Sequence, residues 1–260
     1  MELSVVMFAA ILLATSIIAS PLSSRLQTDG EIQRSSQVLR RTIRPHKPGT
    51  LEVLDLNQTS HETYSSNWGG AILIGTRYTA VSGEITVPAP NFQMVLILIQ
   101  TTAPLTAILQ AGIYFCIQGG LYSYSAWYEW YPDYAHDFSN IQISAGNVII
   151  MTVDATSKSS GFATIENLST GVSVTHIFPN GLGGDLCEFN AEWIVKDFSV
   201  NNALAPIANF GTVVFSNAVA SRGGISYGPS GATIMDIYQD RILTSTSVTD
   251  NTVNISYIKF

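Results

Sequence analysis

The sequence predicts an all-β chain folded as an antiparallel β-sandwich. Three observations predict it. Apolar and polar residues alternate with period two over most of the second half, and no stretch carries a competing helical period. The alternating runs are short and separated by turn residues at regular spacing. Hydrophobic residues make up 46% of the 260 and charged residues only 12%, which supplies a large core and excludes a disordered chain or a long coiled coil.

The elements follow in order. Residues 5–19, VVMFAAILLATSIIA, form an apolar run of signal-peptide length, short for a membrane span. Ala19 and Ser20 offer a cleavage site, although Glu2 makes the extreme N-terminus atypically acidic. Residues 1–20 therefore read as a signal peptide, and the mature chain is expected to be secreted and to need no membrane. Residues 21–60 are rich in Ser, Arg and Pro and read as a basic propeptide or linker, with Arg40–Arg41 as a processing site. Six basic and two acidic residues lie between 21 and 50, against 6 basic and 14 acidic from residue 60 onward. A basic leader before an acidic domain predicts a charge-held inhibitor, a partner supplied by the chain itself, weakened when carboxylates protonate.

Residues 61–260 form the predicted sandwich domain. Val81, Ile85 and Val87 share one strand face with Gly83; Ile141 and Ile143 alternate with Gln142. Residues 147–155 are apolar on both faces, as in a strand between two layers. A hairpin is predicted from Phe162–Leu168 and Val172–Phe178 around Ser169–Gly171. Further strands are predicted at 191–198, 207–217, 233–238 and 242–248, then 253–260 after a turn at Asp250–Asn251. The only two cysteines, Cys116 and Cys187, predict one disulfide in a secreted chain. Sequons stand at Asn57, Asn167 and Asn254, and a glycan would fit the hairpin turn at Asn167.

Several chemistries are excluded. The net charge of −7 argues against nucleic acid. The four His (His46, His61, His136, His176) are scattered, so neither a metal nor another cofactor is expected. Gly224-Ile225-Ser226-Tyr227-Gly228 fits G-x-S-x-G but opens no helical pattern and so is no nucleophile elbow, and there is no P-loop and no G-x-G-x-x-G before a helix. What remains is SYSAWYEWYPDY, residues 123–134. On a strand Trp127, Glu129 and Tyr131 share one face and Tyr128 and Trp130 the other, so one aromatic face can line a groove for a peptide or a sugar.

YSSNWGGAIL (64–73), TAILQAG (106–112), SAWYEWYPDYAHDFS (125–139), TSKSSGFATIENLSTGVSVTH (156–176) and LCEFNAEWIVKDF (186–198) together resemble the fungal glutamic peptidases, the eqolisins. The resemblance covers about residues 64–260. It implies a concanavalin-like sandwich of two seven-stranded antiparallel sheets and a monomeric, secreted acid endopeptidase acting on proteins or peptides. It also implies a dyad in which a Glu activates water and a Gln amide stabilises the oxyanion. The family's Gln corresponds to Gln110, and its substrate-cleft residues to Trp68, Trp127 and Glu129.

The family's catalytic Glu corresponds to Lys196, in Glu192-Trp193-Ile194-Val195-Lys196-Asp197-Phe198. A protonated Lys has donors and no acceptor, so it cannot take a proton from water in acid. Glu192 shares its face but stands about 13 Å along the strand, and Asp197 points the other way. The family's acidic turn before AILQ is replaced by the apolar run Met94–Ile99. An Asp after the Gln has become Tyr114, and the Asp before A-W-Y-E-W has become Ser125. Cys187 matches a family cysteine whose usual partner is missing, which leaves Cys116. The expectation is an acid endopeptidase impaired at Lys196; the alternative is an inactive relative that still binds peptides. A lectin-like sugar binder would share the sandwich, and a damaged gene would also explain the changes.

Overall fold

A computed structural model describes residues 62–259 apart from 90–94, 103–106, 119–120, 181–182, 198, 201–202, 205–206 and 208. The expected signal peptide, the basic leader and the Asn57 sequon lie outside the described residues. The described residues contain strands and turns and no helix. In chain order the strands are β1 (Glu62–Ser65), β2 (Trp68–Ile74), β3 (Tyr78–Thr86), β4 (Val95–Thr102), β5 (Ile108–Gln118), β6 (Leu121–Tyr131) and β7 (His136–Asp137). Then come β8 (Val148–Ser157), β9 (Ser160–Asn167), β10 (Val172–Phe178), β11 (Asn190–Lys196), β12 (Ser199–Val200) and β13 (Ala203–Leu204). The last are β14 (Thr212–Arg222), β15 (Ile225–Tyr227), β16 (Thr233–Gln239), β17 (Arg241–Ile242), β18 (Thr244–Val248) and β19 (Val253–Tyr257).

The strands assemble into two large sheets. One runs β1-β16-β2-β11-β4-β5-β6-β7, with β17 paired to β16; the other runs β10-β9-β8-β3-β14-β19-β18, with β15 paired to β14. The expected seven strands per sheet thus become nine and eight among the described residues, because the short strands β1, β7 and β17 add to the first and the short β15 branches from β14 in the second. One pair, β1 with β16, is parallel, so the first sheet is not wholly antiparallel.

Alternation along each strand builds the core between the sheets. Leu109, Ala111, Ile113 and Phe115 on β5 and Ala191, Trp193 and Val195 on β11 face Val81 and Ile85 on β3, Ile149, Met151 and Val153 on β8, and Phe215 on β14. Each such aliphatic or aromatic side chain stabilises by about 1.5–3 kcal/mol when fully buried. Trp193 fits because residue 83 is glycine: a Cβ there would stand 3.2 Å from its ring. The Trp193 indole N–H donates to the Ser82 carbonyl at 2.9 Å.

Several expectations need correction. Ile141–Ser144 forms no strand; Ile143 is buried from an extended loop whose Gln142 carbonyl accepts the Asn167 amide. The strand expected at 207–217 begins at Thr212: Phe210 is buried in the core from outside the strand, and Gly211 takes a left-handed φ of +71° just before pairing starts. It then continues to Arg222 through a bulge between Ser216 and Val219. The Cys116–Cys187 disulfide is not formed, and Cys187 is a free thiol. The register explains it. Cys187 stands three residues before Asn190, which pairs with Thr102 beside Leu109, whereas Cys116 lies beyond Phe115 at the other end of β5. About eight residues of strand, roughly 25 Å, separate those levels, far beyond disulfide reach.

The glycan expected at Asn167 is excluded by burial. Its side chain is 1% exposed and donates to the Gln142 carbonyl and to Asn147 Oδ1, each at 2.9 Å. Its own Oδ1 accepts the Ser169 and Thr170 amides and so holds the turn. Asn254 lies within β19, half-buried, between β14 and β18. The apolar run 94–99 enters β4, which pairs on both sides with β11 and β5 and presents no free edge.

Candidate active site

Position in the ladder brings the candidate residues onto one face of the first sheet, the face turned away from the core. Gln110 on β5 stands directly opposite Glu129 on β6. Its Nε2 donates to Glu129 Oε2 at 2.5 Å. Trp127 lies two residues before Glu129 on the same face, opposite Gly112. Lys196, the last residue of β11, is opposite Trp68, the first residue of β2. Its Nζ lies 5.4 Å from the centre of the Trp68 ring, a cation–π contact. Across β4 and β5, Lys196 is level with Tyr114 and Ser125, which keeps the parity of Gln110 and Glu129. The Ser125 hydroxyl donates to Asp137 at 2.6 Å.

Gly70 brings β2 and β11 together. A Cβ there would lie 2.0 Å from the Trp193 carbonyl oxygen, at a φ of +152° that side chains rarely adopt. Two residues away, Trp68 is thereby held over Lys196.

The site is buried: Gln110, Glu129 and Lys196 are each 3% exposed and Trp127 2%. Among the described residues Lys196 is the one buried basic side chain. Burial pushes its pKa from 10.5 down to about 8, and the negative charge of Glu129 opposes that fall. Below about pH 8 it is an ammonium ion, attracted to Glu129 and unable to act as a base. The patch therefore holds an amide, a carboxylate and an ammonium, with an indole on either side.

The four tryptophans divide by face. Trp130 and Trp193 point inward, and their N–H groups bond to the Gly184 and Ser82 carbonyls. Trp68 and Trp127 face the site, and their buried N–H groups have no hydrogen-bond partner among the described residues.

The direct contact of Gln110 is thus with Glu129, a residue the sequence points to only as part of the cleft. A signal for this pairing was present. In the sequence the pair Gly119-Gly120 is a hairpin signal, and Gln110 stands nine residues before Gly119 as Glu129 stands nine after Gly120. Glu192 is buried and level with Gln110, but β4 lies between their strands. Asp197 is engaged elsewhere, accepting Gln239 Nε2 at 2.9 Å. A separate cavity of about 260 Å³ opens beside Tyr128, Asp137, Asn140 and His176. No cluster of three or more metal-ligating side chains occurs among the described residues.

Comparison with known proteins accounts for this arrangement. Residues 66–257 match the peptidase A4 family. The chain is 46% identical to aspergillopepsin-2 of Aspergillus niger, with 95% of this chain and 96% of that one covered. It is 40% identical to scytalidopepsin B of Scytalidium lignicola, with 75% and 79% covered. Scytalido-glutamic peptidase bound to a transition-state analogue inhibitor superposes with a TM-score of 0.69 at 38% identity, covering 75% of this chain and 99% of that one. Aspergilloglutamic peptidase from A. niger superposes with a TM-score of 0.61 at 54% identity, covering 64% and 99%. The sandwich, the match over 66–257 and these relatives together show that the chain belongs to the peptidase A4 family, the glutamic peptidases.

Proposed function

We propose that this chain is a secreted, acid-acting endopeptidase of the glutamic type whose hydrolysis is impaired by Lys196. The observation that carries the reading is the Gln110–Glu129 hydrogen bond with the Lys196 ammonium drawn to the same carboxylate. Hydrolysis of an amide needs a group to take a proton from water and donors to meet the developing oxyanion. Gln110 and Lys196 are donors. Glu129 is the carboxylate in contact with Gln110, so the proton acceptor's role falls to it. It is a poor one, because the Gln110 amide occupies a lone pair and an opposite charge beside a carboxylate weakens it as a base. A Glu at 196 would restore a second carboxylate.

The test is protein cleavage at about pH 3–4, near the ordinary carboxyl range, by the unaltered chain and by Lys196→Glu. The variant is expected to cleave faster by about 10²–10⁴-fold, the usual worth of a placed general base. Equal rates would remove Lys196 as the cause of impairment.

A second reading, peptide binding without turnover, is favoured by the two unpartnered indole N–H groups facing the site. A relative of this chain, an eqolisin superposing with a TM-score of 0.65 at 36% identity, has been solved with the tripeptide Ala-Ile-His. On this reading Trp127→Ala lowers peptide affinity by about tenfold or more, as loss of a buried aromatic anchor does. The basic leader remains the proposed inhibitor, and leader peptide added in trans should bind the acidic domain less tightly as pH falls.

A further inference from the structure

Lys196 changes the kind of ligand end this face can hold. Two buried indole N–H groups, Trp68 Nε1 and Trp127 Nε1, have no acceptor among the described residues. The inward tryptophans show that this chain satisfies its indoles where it can. A buried donor left unpaired costs free energy, so two on one face point to an acceptor brought by a ligand. Beside them lies a buried ammonium, stacked on Trp68. The carboxylate it attracts, Glu129, is already shared with the Gln110 amide. The patch is therefore rich in donors and short of acceptors. A backbone carbonyl offers one uncharged oxygen, whereas a carboxylate offers two oxygens, about four lone-pair sites and a full negative charge.

We propose that this face captures the free C-terminal carboxylate of a short peptide, with Lys196 as the group that recognises it and the Trp68 and Trp127 N–H groups as flanking donors. This rests on the reading that the face holds peptides, and it specifies which end of the peptide is held. Such a site prefers the product of a cleavage to its uncleaved substrate. It selects chains that end at the patch over chains that run through it.

Calorimetric titration of the full chain at about pH 6 tests this, with the peptide carboxylate ionised and Lys196 still protonated. The probes are Ala-Ile-His, its C-terminal amide, and acetate as a carboxylate without a peptide. The acid is expected to bind at least about tenfold tighter than the amide, as a charge-assisted contact requires. Lys196→Met should abolish that preference, the acid binding no tighter than the amide, and Lys196→Arg should retain it. Equal affinity of acid and amide for the unaltered chain overturns the proposal and leaves the peptide reading standing. Acetate competing as well as the tripeptide overturns it as well, since the site would then take any carboxylate. Binding of neither tripeptide overturns the peptide reading, and this proposal with it.

Discussion

Lys196 is folded against its own preference for water. Its pKa of about 8 in the folded chain lies below the ordinary 10.5. Between those values the unfolded chain binds the proton that the folded chain has released, so stability rises with pH across that window. Below about pH 8 both states are protonated and the full penalty is present. The gain from pH 8 to 10.5 should be on the order of 3 kcal/mol, and Lys196→Met should show none of it; urea midpoints of both chains at pH 7, 9 and 10 measure the difference. Removing Glu129 alone acts in the other direction. Glu129→Gln strands the ammonium and should destabilise by about 3–5 kcal/mol near pH 6, and much of that loss should return in the double variant with Lys196→Met. Asn167 makes a similar case without charge. Asn167→Ala leaves the Ser169 and Thr170 amides without their acceptor and should cost about 1–3 kcal/mol in thermal unfolding. Mass spectrometry of the protein expressed in a glycosylating host should find Asn167 unglycosylated.

The strands show which structural facts a sequence carries. β3, β8 and β9 alternate in burial because each has one face in the core, whereas β11 is buried on both faces and shows itself by its apolar run instead. β14 was displaced because Phe210 fits the apolar pattern while packing from outside the strand; the left-handed Gly211 marks where pairing starts. Strand order was not legible, since it depends on partners distant in the chain. Nothing within VLILIQTT says that β4 joins β11 to β5. That position has a consequence for folding. Leu98 pairs with Ile194 and with Gly112 in the two neighbouring ladders, so Leu98→Pro should remove a backbone donor and cost about 3 kcal/mol or more. Hydrogen exchange should show Val95–Thr102 among the slowest amides and the edge strand β10 among the faster ones. Comparable exchange in the two would place β4 outside the stable sheet.

At the scale of the molecule, the two sheets serve different ends. Both bury an inner face, but only the first turns a second buried face outward, carrying Gln110, Glu129, Lys196, Trp68 and Trp127. The aromatic, acidic character of this face was legible in residues 123–134, because Trp127 and Glu129 share a parity that Trp130 does not. The Gln110–Glu129 contact was latent in the Gly119-Gly120 pair of the sequence, and the Lys196–Trp68 contact was not legible, because it joins strands more than a hundred residues apart. The division of the tryptophans, two inward and two on the outward face, gives the protein two optical populations. An indole with a bonded N–H in the core and one without an acceptor beside an ammonium emit differently. A ligand taken up at the proposed site should thus alter emission from Trp68 and Trp127 while the fold is intact, and unfolding should alter all four, so fluorescence can separate a ligand arriving from a sandwich coming apart.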